Sequence, residues 1–380
     1  MALTVPERLA ANCRTAPGRA AWLARLPAVV REMEDRWSLT LGAPFDGEEG
    51  GCAWVAPVAR ADGTPAVLKL GMPHMEGEHE IQGLRFWDGD PTVRLLEADD
   101  DLGAMLIERC EPGTSLRDLP EQEQDRVIAG LLRRLWRPSP APHPFRPLSA
   151  LTAYWSRETL ADAASWPDAG LVREGLRLFQ ELPRSASTEV LLATDLHAGN
   201  VLRAQREPWL VIDPKPFVGD PAYDATRHLF NCRARLRADP DGTIRRFAEL
   251  LELNRERVRL WTFARAAAEP REEWKDGSIG GEAFHPCATF AVEIHSCRLE
   301  PAARDARGPR GADSQAAEIR PRPVALNRVG RQGCRSPRTP AAARPSGDRA
   351  VGSAFHAPAH LGSSHSEKAP AESSPRLRPS

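Results

Sequence analysis

Two short apolar runs, Val190-Leu191-Leu192 and Trp209-Leu210-Val211-Ile212, bracket a polar stretch that carries Asp195 and Asn200, and Asp213 follows the second run directly. Runs of three or four apolar residues are too short for helices and read as strands. The chain thus holds two carboxylates and one amide oxygen around a strand-loop-strand segment. Magnesium takes such hard oxygens and keeps several waters, so few protein ligands suffice. Phosphoryl transfer needs this set: metal holders that neutralise phosphate charge, and one carboxylate that accepts the proton of an attacking hydroxyl. Asp195 is the expected proton acceptor; Asn200 and Asp213 are the expected magnesium ligands. A loop aspartate on its own more often caps backbone amides, and the spacing to Asn200 and Asp213 carries the chemical reading.

Phosphates also need a fixed cation. Lys69 lies in the strand-like run Ala66-Val67-Leu68-Lys69-Leu70, joined to the run Cys52 to Ala59 by Ala61-Asp62-Gly63-Thr64, a hairpin signal. Kinases hold such a lysine with a helix carboxylate. Glu80, in the helical stretch Glu76 to Trp87, is the expected partner because Leu84, four residues on, shares its side; Glu78 competes. In the loop Gly47 to Cys52, Gly50 and Gly51 would let backbone amides approach phosphates closely, since glycine has no β-carbon. The loop lacks Gly-x-Gly-x-x-Gly, and an ordinary hairpin turn fits it equally well. No Gly-x-x-x-x-Gly-Lys-Ser/Thr motif is present, which disfavours a P-loop fold.

The pattern along the chain supports two lobes. Leu26, Val29, Val30, Met33 and Trp37 line one face of an N-terminal helix; strands follow at Trp37 to Leu41, Cys52 to Ala59, Pro65 to Leu70, Val93 to Glu97 and Ala104 to Glu108. After Pro112-Gly113 the periodicity is helical, interrupted by the proline-rich connector at Arg137 to Pro144. Helices are expected at Ala222 to Cys232, Thr243 to Leu253 and Arg255 to Ala267.

The series Asp195-Leu-His-Ala-Gly-Asn200, Ile212-Asp213-Pro214-Lys215 and Gly219-Asp220-Pro221-Ala222-Tyr223-Asp224 resembles the aminoglycoside phosphotransferase family, most closely its streptomycin 6-kinase and hydroxyurea phosphotransferase branch. The similarity runs from about Trp37 to about Trp274 and includes the Lys69 strand and the segment Glu111 to Leu116. It implies an α+β, protein-kinase-like fold: residues 1–110 a nucleotide-binding lobe with a small antiparallel sheet, 111–275 a mainly helical catalytic and substrate lobe. It also implies ATP as donor and a hinge from Glu108 to Cys110 whose backbone binds adenine. The acceptor implied is an aminocyclitol antibiotic such as streptomycin; alternatives are hydroxyurea or another small metabolite, and an inactive nucleotide-binding regulator. Family members carry His-Gly before the catalytic aspartate, where this chain has Ala193-Thr194. His197 is read as structural; Asp220 and Asp224 as braces of the loop or caps of the next helix; Trp155, Trp166 and Trp261 as core. Glu158, Asp162 and Asp168 are candidates for attracting a cation, more simply read as solvated acids.

The net charge of −1 hides an asymmetry, with 36 basic and 42 acidic residues before Asp276. A mildly acidic body suits cationic small molecules and argues against nucleic acid as the main partner. The seven cysteines show no Cys-x-x-Cys pair, no signal peptide or membrane-spanning run is visible, and a cytoplasmic protein is expected; the oligomeric state is not legible. Residues 276–380, rich in Arg, Pro, Ala, Ser and Gly, read as a disordered tail, and the abrupt loss of pattern after Trp274 suggests an origin out of frame.

Overall fold

A computed structural model describes residues 3–46, 51–161 and 169–268. The expectations for Gly50, Asp162, Trp166, Asp168 and the tail 276–380 lie outside these residues. Helices α1 (Glu7–Cys13) and α2 (Pro17–Trp37) turn Leu9, Leu26, Val30 and Met33 inward. Trp37 ends α2 rather than opening a strand: Ser38 takes the left-handed conformation (φ 52°) and releases the chain into β1 (Leu39–Leu41). The hairpin of β2 (Ala53–Arg60) and β3 (Pro65–Gly71) turns where Gly63 has φ +82° and the Thr64 amide donates to Asp62 Oδ1 at 2.9 Å.

Helix α3 (Glu80–Trp87) starts four residues later than Glu76, because the Gly77 amide donates back to His74 and holds that segment in turns. β4 (Leu95–Asp99) likewise starts two residues after Val93, whose amide donates instead to Val211 O of the second lobe at 3.0 Å. β5 (Ala104–Glu108) completes a five-stranded antiparallel sheet in the order β1-β2-β3-β5-β4. Side chains alternate across a strand. Ala66, Leu68 and Leu70 of β3 therefore pack with Trp54, Ala56 and the inner face of α2, while Val67, Met105 and Ile107 pack with Ile81 and Leu84 of α3. Lys69 shares the parity of Val67 and so lies on the α3 side.

The second lobe is mainly helical: α4 (Glu121–Leu135), α5 (Leu148–Ala161), α6 (Ala169–Glu181), α7 (Pro221–Asn231), α8 (Arg233–Ala238), α9 (Pro240–Leu251) and α10 (Arg255–Ala268). Its core holds Val172, Leu176, Phe179, Phe247 and the fully buried Trp261, whose ring meets Tyr223 edge-on at 5.1 Å. Between α6 and α7, β6 (Val190–Leu192) pairs with β9 (Phe217–Gly219), and β7 (Val201–Arg203) pairs with β8 (Trp209–Val211). These two small ladders present the loops carrying Asp195 and Asp213. Trp87 of α3 donates to Leu135 O at 3.0 Å, a further tie between the lobes. No helix among the described residues is long and apolar enough to cross a membrane.

Candidate active site

The β7–β8 hairpin does the first positioning. The Ile212 amide donates to Asn200 O (2.9 Å), which sets Asn200 beside the start of the Asp213 segment, and Asn200 Nδ2 donates to Asp195 O (3.0 Å). That bond orients the amide: among the described residues no donor reaches Asn200 Oδ1. Asp213 takes a left-handed backbone (φ 55°), and a third of its side chain is exposed (34%).

From the sheet, Lys69 Nζ lies 2.5 Å from Glu80 Oε1 and also touches Asp213 Oδ1. Glu78 sits in the turn before α3 and pairs with Arg146 at 2.9 Å, so α3 presents Glu80 to the lysine. Lys215, two residues past Asp213 and buried, touches the same Asp213 oxygen and stands 3.8 Å from Glu80 Oε2. Burial opposes charge on both Asp213 and Lys215. The mutual attraction wins, with Lys215 and Lys69 driving the Asp213 carboxyl far below its usual range and Asp213 and Glu80 driving the Lys215 ammonium far above its own.

Asp195 is nearly buried, and Arg227 of α7 places Nε 2.6 Å from its Oδ1. Neither Arg227 nor Lys215 was singled out from the sequence. A signal for Arg227 exists in hindsight: Asp224 and Arg227 are three residues apart on α7 and so share a face, and Asp224 accepts the amides of Ala193 (3.0 Å) and Thr194 (2.8 Å). Thr194 has φ +48°, a conformation that glycine adopts readily and a β-branched residue resists. Its hydroxyl donates to Lys215 O at 2.7 Å and its amide to Asp224, which together hold the loop. Burial lifts the Asp224 carboxyl to about 6 against these donors, Trp136 Nε1 and the Arg265 charge.

Asp220 caps α7 through the Ala222 amide and accepts from Arg257 Nε and Trp261 Nε1, both at 2.6 Å. His197 turns Nδ1 back to the Gly199 amide at 3.1 Å. Glu108 directs its carboxylate to Arg206 (2.8 Å) and the Arg94 amide, leaving only its backbone for a hinge role. Among the described residues the backbone of Cys110 has no backbone partner. Burial raises the thiols of Cys52 and Cys110 to about 11 each, so both are protonated at neutral pH. Gly51 offers its carbonyl to Asn12 Nδ2 at 2.9 Å, which ties the glycine-rich loop to α1. Elsewhere, Asp125, His228 and Cys232 bring potential ligand atoms within 4.8 Å of one another, yet both Asp125 oxygens already accept from Arg235 (2.6 and 2.7 Å), which supplies the cation itself.

A lysine–glutamate pair on a five-stranded antiparallel lobe, set against an Asp-Asn-Asp group on a helical lobe, defines the kinase-like class of two-lobed phosphotransferases. The chain belongs to the aminoglycoside/hydroxyurea antibiotic resistance kinase family, whose profile matches residues 36–276. It is 39% identical over 302 residues to the streptomycin 6-kinase of Streptomyces glaucescens, covering 76% of this chain and 96% of the relative. It is 39% identical to that of Streptomyces griseus, covering 72% and 92%. To the hydroxyurea phosphotransferase of Kitasatospora aureofaciens it is 40% identical, covering 67% and 75%. The chain is thus an ATP-dependent phosphotransferase acting on a hydroxyl group of a small molecule.

Proposed function

We propose that this protein moves the γ-phosphoryl group of ATP to a hydroxyl of an aminocyclitol antibiotic such as streptomycin and so confers resistance. The observation that carries the reading is near-complete coverage of a streptomycin 6-kinase at 39% identity, supported by the contacts of Lys69 with Glu80 and Asp213 and of Asn200 with the Asp195 backbone. Hydroxyurea is the second reading, favoured by the 40% identical relative that covers less of its own length.

In this mechanism Asp195 orients the acceptor hydroxyl and takes its proton as the new bond forms, with the Arg227 guanidinium beside the carboxylate. Lys69, fixed by Glu80, neutralises phosphate oxygens, and the backbone from Glu108 to Cys110 meets the adenine. Magnesium fits the donor set: Asn200 Oδ1 and the exposed side of Asp213 are hard oxygens without a protein donor among the described residues. Bound there, the ion would offset negative charge on the phosphates. Most of the rate enhancement then comes from positioning and charge neutralisation.

The test is a product analysis by mass spectrometry with ATP, magnesium, a panel of aminoglycosides and hydroxyurea. A gain of one phosphate on streptomycin is expected, and Asp195→Asn should lower kcat by about 10²–10⁴-fold while nucleotide binding persists. Turnover unchanged by Asp195→Asn would remove that residue from its role; phosphorylation of hydroxyurea alone would replace the substrate.

A further inference from the structure

Lys215 gives the nucleotide cleft a second buried ammonium. Its position is set on both sides by the loop before Asp195: its amide donates to Ala193 O at 2.9 Å, and its carbonyl accepts from Thr194 Oγ1 at 2.7 Å. Its side chain is 4% exposed, so its charge is removed from water and must be matched inside the protein. The match is Asp213, in direct contact through Oδ1, with Glu80 Oε2 at 3.8 Å. Lys69 contacts the same two acids. Two ammoniums and two carboxylates therefore cancel. Both lysines crowd onto Oδ1 of Asp213, and among the described residues no donor reaches its Oδ2.

In kinase sites the strand lysine is balanced by the helix glutamate, which leaves the aspartate with a net negative charge for divalent ions, and such sites engage up to two of them. Here that charge is already compensated. The consequence is electrostatic and has two signs: a divalent cation meets one unit less attraction, and a nucleotide polyphosphate meets one unit more.

We infer that Lys215 is a built-in cation that takes the place of one divalent ion at Asp213, so that the site works with a single ion and holds nucleotide even without metal. The inference rests on the nucleotide-site reading given above. Lys215 is in this sense a positioning residue for Asp213 and a charge partner of the phosphates.

The experiment counts ions and measures binding rather than turnover. Full-length protein is titrated with Mn²⁺ in the presence of the β,γ-imido analogue of ATP and followed by electron paramagnetic resonance. Binding of the same analogue in EDTA is measured by calorimetry. The wild type should bind one Mn²⁺ per chain and keep analogue affinity in EDTA within about tenfold of that with Mn²⁺, a difference of about 1.4 kcal/mol. Lys215→Met should bind a second Mn²⁺ and lose at least about tenfold in metal-free affinity, and Lys215→Arg should restore the wild-type count. Two Mn²⁺ in the wild type, or a folded Lys215→Met chain with unchanged count and unchanged metal-free affinity, overturns the inference. The wild-type count decides the question even where Lys215→Met fails to fold. A wild type that binds no analogue with or without Mn²⁺ overturns the nucleotide-site reading as well, whereas analogue binding with two ions overturns this inference alone.

Discussion

Thr194 shows how a strained backbone position is accommodated. A β-branched residue at φ +48° is strained, and its hydroxyl bond to Lys215 O offsets the strain. Thr194→Val keeps the shape and strands a buried carbonyl, so denaturant unfolding should show a loss of about 1–3 kcal/mol. Thr194→Gly should stay within about 0.5 kcal/mol of the wild type, because relief of strain opposes loss of the bond. Asp224, beneath the same loop, makes a pH prediction. Its folded pKa lies above its ordinary 3.8, at about 6, so the folded state favours the protonated form. The stability this group contributes is complete below about pH 4 and is lost as pH rises through about 6. Chemical denaturation across pH 4–7 should show that decline, and Asp224→Asn should flatten it. That the segments carrying Asp195, Asn200 and Asp213 adjoin was legible because their spacing is local in sequence. Arg227 and Lys215 were not, since an arginine in a helix and a lysine after a proline look like ordinary surface residues until burial and contacts are known.

At the level of elements, the sheet parity that brings Lys69 to Glu80 was predictable in kind. Alternation in β3 puts Lys69 on the face opposite Leu68, and α3 follows the hairpin closely enough to cover that face. Boundaries were harder. The sequence reading began α3 at Glu76 and a strand at Val93, and both starts moved because hydrogen bonds from Gly77 and Val93 go to partners outside the regular element. The ends of α7 and α10 depend on each other in the same way: Asp220 caps α7 while binding Arg257 and Trp261 of α10. Asp220→Ala removes a cap and leaves the buried Trp261 indole without its acceptor, while the part-exposed Arg257 keeps Leu182 O and Ser185 Oγ. A destabilisation of about 1–3 kcal/mol is expected, read as a fall in Tm, and Asp220→Asn should recover part of it. A change below about 0.5 kcal/mol would show that the two helices do not rely on this link.

For the whole molecule, the family profile ends at residue 276, where the sequence pattern also fails. A chain cut after Lys275 is therefore expected to keep wild-type kcat and KM, and a large loss of activity on truncation would assign the remaining residues a part in the reaction. Periodicity and motif spacing, together with the family resemblance those motifs carry, were sufficient for the two-lobed class and for phosphoryl transfer, because hydrophobic period, turn chemistry and short motifs are written in neighbouring residues. The charge balance of the cleft was not accessible in that way. Glu80, Asp213 and Lys215 meet only when two lobes close on each other, and a buried ammonium is indistinguishable from a solvated one until the fold has excluded water from it.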